Sequence, residues 1–261
     1  LLAKSALYRK RYGKAESLCA EIMSSGNYSL FAEYDKLFRE VGEFCSESIW
    51  EVNCKGSSPA KAIEGYFVVQ APRGAGGLGW GFNTPSESLA NAYESGDTRR
   101  EATIIFAGST LYDGRFVPLT VENPRYNMKA YSSAFTDGWE TDVNIKYLRY
   151  AEVLLMKAEA LNELGQTSNA IPLVNQIRNR AGLGNTTATS QADVRLAIWK
   201  ERRVEFAMEH DRWFDIVRTG QAEAALAVHG KTFIVGKHEV FPLPQQFINE
   251  SIGYSTQNSN Y

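Results

Sequence analysis

The chain has 261 residues, with 28 Lys and Arg against 30 Asp and Glu, and its formal net charge is −2. This balance argues against a nucleic acid or an anionic membrane surface as partner, since both select strongly basic proteins. The hydrophobic content of 44% and the charged content of 22% are typical of a globular protein. A chain of this length can bury enough surface for a full core, as one large domain or as a domain with a substantial insertion.

Neither a membrane span nor cysteine chemistry is indicated. No run approaches the roughly 18 apolar residues of a transmembrane helix. The three cysteines, Cys19, Cys45 and Cys54, form no CxxC pair, so no metal or redox role is expected and at most one internal disulfide could form. The chain opens LLAKSALYRKRYGKAE, within a helical pattern and without a signal peptide. We therefore expect it to be the later part of a longer polypeptide, with any export signal upstream.

The first residues have clear periodic patterns. Ala and Leu recur at steps of three and four on both sides of Tyr12-Gly13, which predicts a helical hairpin over residues 1–25. Residues 33–44 predict a short helix, and the alternation in SIWEVN predicts a short strand over residues 48–53.

Residues 55–146 differ in kind, because Gly, Pro, Ser and Asn are frequent and long periodic patterns are missing. Short strands are predicted at 66–70 and 103–106, and a brief helix at 87–94. About ninety residues with so little regular structure inside a compact protein are typical of a functional loop region rather than of a linker.

Residues 147–220 carry the strongest pattern and predict three consecutive helices. The apolar residues of the first helix share one face and are Leu148, Ala151, Leu155, Ala158 and Leu161. Gly165 ends this helix, since glycine accepts the left-handed conformation of a helix terminus.

The second helix is expected to be capped by Ser168, to hold Pro172 in its first turn, and to close at Gly182. The third starts at Ser190-Gln-Ala-Asp193, which has the spacing of a capping box, and its apolar stripe continues into a glutamate row ending at Glu209.

Two short helices around a glycine turn have the shape of a tetratricopeptide-like hairpin. The spacing of residues 1–25 nearly repeats it, which predicts two such units separated by a long insertion. After Gly220 we expect a helix or turn to Val228, then an extended segment at 238–244 and polar turns. The predicted fold class is mainly α, with tetratricopeptide-like hairpins and a loop-rich insertion containing a few short strands.

Four motifs in this order resemble the SusD/RagB family of outer-membrane nutrient-binding proteins. They are LRYAEVLLMKAEALNELG (148–165), LVNQIRNRAGL (173–183), ERRVEFAMEHDRWFDIVRTG (201–220) and VFPLPQQFINES (240–251). Residues 1–30 and 77–100 also resemble the corresponding parts, so the likeness covers nearly the whole chain. The chain departs from the family at His210, where glycine is usual, and near Val217, where arginine is common.

This resemblance implies that 1–261 is the C-terminal part of a SusD-like domain. Residues 1–30 and 147–220 would form the helical scaffold, 55–146 the ligand-facing insertion and 221–261 an extended C-terminal segment. It also implies a surface lipoprotein of the outer membrane in Bacteroides-like bacteria, which binds oligosaccharides or other nutrients over a SusC-like TonB-dependent transporter. The lipid-bearing cysteine would lie in an N-terminal region absent from this chain, and none of its three cysteines is placed to be that anchor.

The glutamate row Glu201, Glu205 and Glu209 admits two interpretations. A glycoside hydrolase would use two of these carboxylates as acid and base across a cleft. Carboxylates four residues apart on a helix lie only about 5–6 Å apart at Cβ, however. The nearby arginines instead favour a structural ion-pair lattice that holds the third helix to the hairpin. They are Arg202, Arg203, Arg212 and Arg218 in the same segment, and Arg149 or Arg178 on the preceding elements.

No cofactor or metal is predicted. Gly74-Ala-Gly-Gly-Leu-Gly79 matches GxGxxG, but the residues that follow cannot open a helix as a dinucleotide fold requires. The three histidines, His210, His229 and His238, have no metal-ligand spacing.

Aromatic residues in the glycine-rich loop 77–85 are the best binding candidates, because the flat CH faces of sugars stack on aromatic rings. Trp80, Phe82 and Asn83 lie within four residues, with Arg73 and Tyr66 upstream. The alternative is that Trp80 and Phe82 only anchor the loop on the scaffold, since aromatics more often pack than bind.

Trp139, beside Asp137 and Glu140, is a second candidate for sugar binding. The predicted function is non-catalytic capture of an oligosaccharide or similar nutrient at the cell surface. A protein–protein scaffold and a glycoside hydrolase are the alternatives from other classes.

Overall fold

The computed structural model describes residues 1–54, 65–74, 78–133 and 142–261. The chain divides into two compact units, Leu1–Glu209 and His210–Tyr261. Within the described ranges it is mainly α-helical with a few short strands, and its helices have the tetratricopeptide-like arrangement that the sequence predicted.

The first unit contains seven helices and four strands among its described residues. The helices are α1 (Leu2–Tyr8), α2 (Tyr12–Ser24), α3 (Glu87–Ala90), α4 (Arg99–Thr103), α5 (Tyr150–Glu163), α6 (Thr167–Arg180) and α7 (Gln191–Glu205). The strands are β1 (Ser48–Val52), β2 (Ile104–Phe106), β3 (Arg125–Asn127) and β4 (Ile145–Arg149). They form two antiparallel pairs, β1 with β4 and β2 with β3.

The main core lies where the hairpin α1–α2 and the helices α6 and α7 pack around α5. Helix α5 is buried along nearly its whole length, which explains its almost continuous apolar run. Alanines at 0% exposure, among them Ala151, Ala158 and Ala170, let the helices approach closely. Burying each large aliphatic side chain, such as Leu154 or Leu155, contributes about 1.5–3 kcal/mol. The helical hairpin predicted over residues 1–25 is confirmed.

Several predicted helix ends are wrong. Helix α5 begins at Tyr150 because Leu148 is taken into β4, where it pairs with Trp50. Helix α6 is preceded by Gln166, so Ser168 lies inside it and Pro172 is its sixth residue rather than part of its first turn. The cap of α7 is confirmed, since Ser190 Oγ accepts from Asp193 N at 3.1 Å.

The third predicted helix ends early. Helix α7 stops at Glu205, and Met208 and His210 take left-handed φ angles of 67° and 75°. Glu209 therefore lies outside the helix, although the sequence placed it on the same helical row.

The insertion folds differently from its prediction in places. Residues 66–70 form helical turns rather than a strand, with Val69 N donating to Gly65 O and Gln70 N to Phe67 O. The strand at 103–106 is confirmed as β2, and the helix at 87–94 shortens to α3. Residues 33–44 contain two 3-10 helices, Tyr34–Lys36 and Glu40–Gly42, instead of one helix.

The insertion has a core of its own. Its buried side chains come from the 66–70 turns, from β2, from β3 and from the loops around them. They include Phe67, Val68, Leu78, Ile105, Val117, Tyr126 and Tyr131. This core gives the loops a firm base, which a linker would not have.

The second unit consists of α8 (Arg212–Arg218), α9 (Ala222–Ala227), α10 (Gln245–Glu250) and turns. Ile216, Ala222 and Phe233 form its small core, and Trp213 packs edge-on against Phe233. Helix α9 confirms the helix or turn expected before Val228. Helix α10 was not predicted, and it makes the segment expected to be extended over 221–261 partly helical.

Cys19, Cys45 and Cys54 are free thiols. Among the described residues, no helix combines the length and the apolar content needed to cross a membrane.

Candidate functional site

A buried ion lattice joins α7 to the rest of the first unit, with Glu205 at its centre. Arg149 Nη1 donates to Glu205 Oε1 at 3.0 Å and Arg99 Nη1 to Glu205 Oε2 at 3.1 Å. Arg180 donates to the same carboxylate. All four side chains are at most 4% exposed, so each buried charge is met by opposite charge in hydrogen-bond geometry.

The two other glutamates of the row take part as well. Arg99 Nη1 lies 2.6 Å from Glu201 Oε1, and Arg178 Nη1 lies 3.4 Å from its other oxygen. Glu209 accepts from Arg149 Nε at 2.7 Å and from Lys129 Nζ at 2.5 Å.

The predicted lattice is therefore confirmed, and both Arg149 and Arg178 contribute as expected. Three arginines of the same segment have other partners: Arg202 lies 3.7 Å from Glu152, Arg203 binds Ser88 and Arg218 binds Asp215. The sequence missed Arg99, Lys129 and Arg180, since nothing in the local pattern marks residues brought in from distant segments.

The lattice is a poor setting for acid–base catalysis. Burial alone would raise the pKa of Glu205, but Arg180, Arg149 and Arg99 together hold that pKa well below its usual range. Burial would likewise raise the pKa of Glu209, but Arg149 and Lys129 outweigh this effect and hold the pKa below its usual value. Burial does raise the pKa of Glu201, yet this carboxylate is only 2% exposed and faces guanidinium groups. The three carboxylates thus neutralise basic partners rather than lining an open cleft.

The segment 78–83, called the aromatic loop below, is fixed to the 66–71 turns by three main-chain hydrogen bonds. Trp80 N donates to Val68 O at 2.8 Å, Phe82 N to Val69 O at 2.7 Å and Gly81 N to Ala71 O at 3.0 Å. Gly79 makes this approach possible, because a Cβ there would lie 2.4 Å from Val68 O. In this loop Gly79 allows close backbone packing, because it has no Cβ.

Trp80 and Phe82 form an exposed aromatic pair on this loop. They are 41% and 60% exposed, and their ring centroids lie 6.5 Å apart in an edge-to-face arrangement with an interplanar angle of 79°. Leu78, at 7% exposure, is the side chain that enters the core beneath the loop. Leu78 therefore anchors the loop in the core of the insertion.

Asn83 follows the rings with a left-handed φ of 50° and is held by Gln70. Its Nδ2 donates to Gln70 Oε1 at 2.8 Å, and Asn127 Nδ2 donates to the same oxygen at 2.9 Å. Asn127 Oδ1 in turn accepts from the main-chain nitrogen of Lys129 at 3.0 Å. Since Lys129 Nζ binds Glu209, Lys129 connects the ion lattice to the hydrogen bonds that support the loop.

Arg73 and Tyr66 lie on the turns beneath the loop. Arg73 is close to Gly81, because a Cβ on Gly81 would lie 2.9 Å from Arg73 Cβ, and its exposed guanidinium pairs with Glu122 at 2.9 Å. Tyr66 is half-buried, and burial raises its pKa to about 12 against the lowering effect of Gln70, so its hydroxyl stays protonated at neutral pH. Trp139 falls outside the described residues.

The structure brings five of the six candidate residues into one region, with Trp80, Phe82 and Arg73 presenting side chains to solvent. Such a surface offers apolar faces and polar edges, which suits a neutral ligand with both CH faces and hydroxyls. Within the described ranges, no group of three or more His, Cys, Asp or Glu side chains converges as a metal site would.

Comparison with known proteins identifies relatives along most of the chain. The profile of the SusD family, SusD_RagB, matches residues 46–261. SusD-like protein P2 from Formosa agariphila is 30% identical over 209 residues, which cover 71% of this chain and 41% of that protein.

Solved structures agree with this. Surface glycan-binding protein A from Bacteroides thetaiotaomicron, in complex with laminarihexaose, matches 99% of this chain and 62% of its own, with a TM-score of 0.82 and 26% identity. A laminarin binding SusD-like protein matches 100% of this chain and 61% of its own, with a TM-score of 0.80 and 29% identity. This chain thus spans between 41% and 62% of the length of these three relatives.

Proposed function

The chain belongs to the SusD family, and from this premise we propose that it binds an oligosaccharide at the cell surface without catalysing a reaction on it. The observation that carries the proposal is the exposed pair Trp80 and Phe82 on a loop whose main chain is held at three points. A rigid platform loses little conformational entropy on binding, so the stacking energy of the rings is retained as affinity.

Polar groups around the pair would give the site its selectivity. Arg73 can donate to sugar hydroxyls in a two-point geometry, and the hydroxyl of Tyr66 stays protonated at neutral pH. Asn83 supplies a planar amide at the edge of the loop, although Gln70 already holds its nitrogen. Trp139 remains a predicted contact. The relatives bound to laminarihexaose or described as laminarin binding support a glycan as the ligand class.

Delivery to a transporter completes the proposal. As the family resemblance implies, the protein would be lipid-anchored on the outer membrane and would pass its ligand to a SusC-like TonB-dependent transporter. The charge state of Glu205 and Glu209 supports a role without catalysis, since basic partners lower the pKa of both carboxyl groups and hold them ionised.

Affinity electrophoresis in gels containing different soluble polysaccharides, laminarin among them, tests the proposal. We expect one neutral polysaccharide to retard the protein and no reducing ends to be released from it. Retardation by none of the polysaccharides, together with capture of a protein partner, would favour the scaffold alternative. Release of reducing ends would favour the glycoside hydrolase.

A further inference from the structure

A β-bulge in the two-stranded ribbon β1–β4 presents a second pair of aromatic rings. Trp50 pairs with Leu148, and the next residue, Glu51, pairs with Lys146. One step along β1 thus corresponds to two along β4, so Tyr147 is the extra residue of a bulge. Bulges redirect side chains and are frequent beside functional sites.

The bulge places Tyr147 beside Trp50 on the surface. The two residues are 49% and 47% exposed, and their ring centroids lie 5.3 Å apart with an interplanar angle of 35°. A small tilt at this distance gives a nearly continuous aromatic surface. Isolated exposed aromatics are common on proteins, but two that pack against each other and are exposed together at a backbone irregularity form a defined feature.

The charges of the ribbon are neutralised beneath this surface. Lys146 binds Glu51, and their side chains are 2% and 3% exposed. Arg149 is 1% exposed and belongs to the ion lattice. The ribbon therefore offers aromatic faces without an exposed charge from these three residues, which complements an uncharged ligand better than an ionic one.

Hydrogen bonds link the ribbon to the turns beneath the loop. Arg149, the last residue of β4, donates to Glu209, which also accepts from Lys129 Nζ. The main-chain nitrogen of Lys129 donates to Asn127, and Asn127 donates to Gln70 on the turns. The ribbon is therefore tied to the same turns that support the aromatic loop.

We infer that Trp50 and Tyr147 form a second stacking surface for the same neutral glycan chain that the aromatic loop binds. The inference rests on the proposed function, since it assumes that the ligand is a glycan. A polysaccharide long enough to reach both pairs gains affinity, because its second contact is intramolecular. A short oligosaccharide occupies only the loop.

The test uses two ligands. One is the polysaccharide that most strongly retards migration of the unchanged protein in affinity gels, and the other is a short oligosaccharide prepared from it. Calorimetry then compares Trp50→Ala, Tyr147→Ala and Trp80→Ala with the unchanged protein for both ligands. Trp50→Phe is the matched control, because it keeps an aromatic face at the same position. Thermal unfolding of each variant reports whether the ribbon still folds.

We expect Trp50→Ala and Tyr147→Ala each to weaken binding of the polysaccharide on the order of tenfold while changing binding of the short oligosaccharide less than about twofold. Trp50→Phe should retain most of the affinity. Trp80→Ala should weaken binding of both ligands.

The outcomes separate this inference from the proposed function. If Trp80→Ala weakens binding and both ribbon variants bind the polysaccharide unchanged, the second surface is refuted and glycan binding stands. If Trp50→Phe and Trp50→Ala lose equal affinity for the polysaccharide, stacking at this position is also refuted. If no polysaccharide binds the unchanged protein, the proposed function fails and the inference fails with it.

Discussion

The glutamate row and the aromatic loop are the two regions whose composition first suggests function, and the structure treats them in opposite ways. Glu205 is fully buried, with basic groups around it. Trp80 and Phe82 are exposed on a loop held from below. The dense charge of the glutamate row is structural, because buried ions are costly unless oppositely charged partners surround them. The exposed rings instead leave an apolar surface accessible to a ligand.

The two regions are nevertheless connected, because residues of the lattice also support the loop. Lys129 belongs to the lattice through Glu209, and its neighbour Asn127 supports Gln70 beneath the loop. The lattice therefore acts as a rigid base, and the loop carries the variable chemistry of binding. Substitutions in the first region should change stability, and substitutions in the second should change affinity.

The largest expected effect is at the centre of the lattice. Glu205→Gln keeps the shape but removes the charge that faces Arg99, Arg149 and Arg180, so it should lower the free energy of unfolding by about 3–5 kcal/mol. Denaturant titration measures this. The control is Glu33→Gln, which disrupts an ion pair with Lys36 whose side chains are 54% and 40% exposed. It should cost less than about 1 kcal/mol, and an equally small loss at Glu205 would contradict a structural lattice.

A second effect is expected where the loop meets its base. Gly79→Ala would place a Cβ 2.4 Å from Val68 O, and the resulting overpacking should cost about 1–3 kcal/mol. Gly184→Ala is the matched control, because a Cβ there meets nothing within 4 Å. Thermal or denaturant unfolding of both variants would show the difference. Equal stability of the two would mean that the loop does not pack on the turns in solution.

The aromatic loop should show an effect on affinity alone. Trp80→Ala is expected to weaken binding of the glycan on the order of tenfold, or ~1.4 kcal/mol, and to change unfolding by less than about 0.5 kcal/mol because the side chain is exposed. Calorimetry measures the affinity, and thermal unfolding measures the stability. Phe116→Ala, at another aromatic with 58% exposure, is the control and should bind normally. Unchanged affinity of Trp80→Ala would remove this loop from the site.

The smallest effect concerns pH at the edge of the helical layer. Hydrogen bonds from Arg178 and Lys200 lower the pKa of Glu94 to about 2. A depressed folded-state pKa contributes stability that is present above the unfolded value of about 4.5 and is lost as pH falls toward 2. The side chain is 34% exposed, so the contribution should stay below about 1 kcal/mol.

Comparing urea midpoints at pH 6 and pH 3 for the unchanged protein and Glu94→Gln tests this. The variant should lose less stability between the two pH values. Parallel curves would show that Glu94 is not held by its two basic partners.

Much of the scaffold could be predicted because its signals are local. The hairpin over 1–25 and the cap at Ser190 depend on residues a few positions apart. Errors arose where a distant partner competed with the local pattern. Leu148 continues a helical period, yet pairing with Trp50 draws it into a strand, and the turns at 66–70 follow from packing of Phe67 and Val68 in the core of the insertion.

The candidate site was less accessible to sequence reasoning. Tyr66, Arg73, Trp80, Phe82 and Asn83 lie within one stretch of 18 residues, and their residue types in a glycine-rich segment singled them out. Gln70 and Asn127, which support Asn83, could not be found because their pairing joins residues 57 positions apart. The pair of Trp50 and Tyr147 was missed for the same reason, since it depends on the register of two distant strands.

By itself, the sequence determined the mainly helical class, the family resemblance and the presence of a buried ion lattice, because periodicity, capping and charge density act over short stretches. Tertiary structure alone decided which cations surround Glu205. Arg99 reaches it from 106 residues away. Tertiary structure also decided that Leu78 is buried while Trp80 and Phe82 are exposed. Burial and ion pairing depend on which distant segments meet, and no local pattern encodes that meeting.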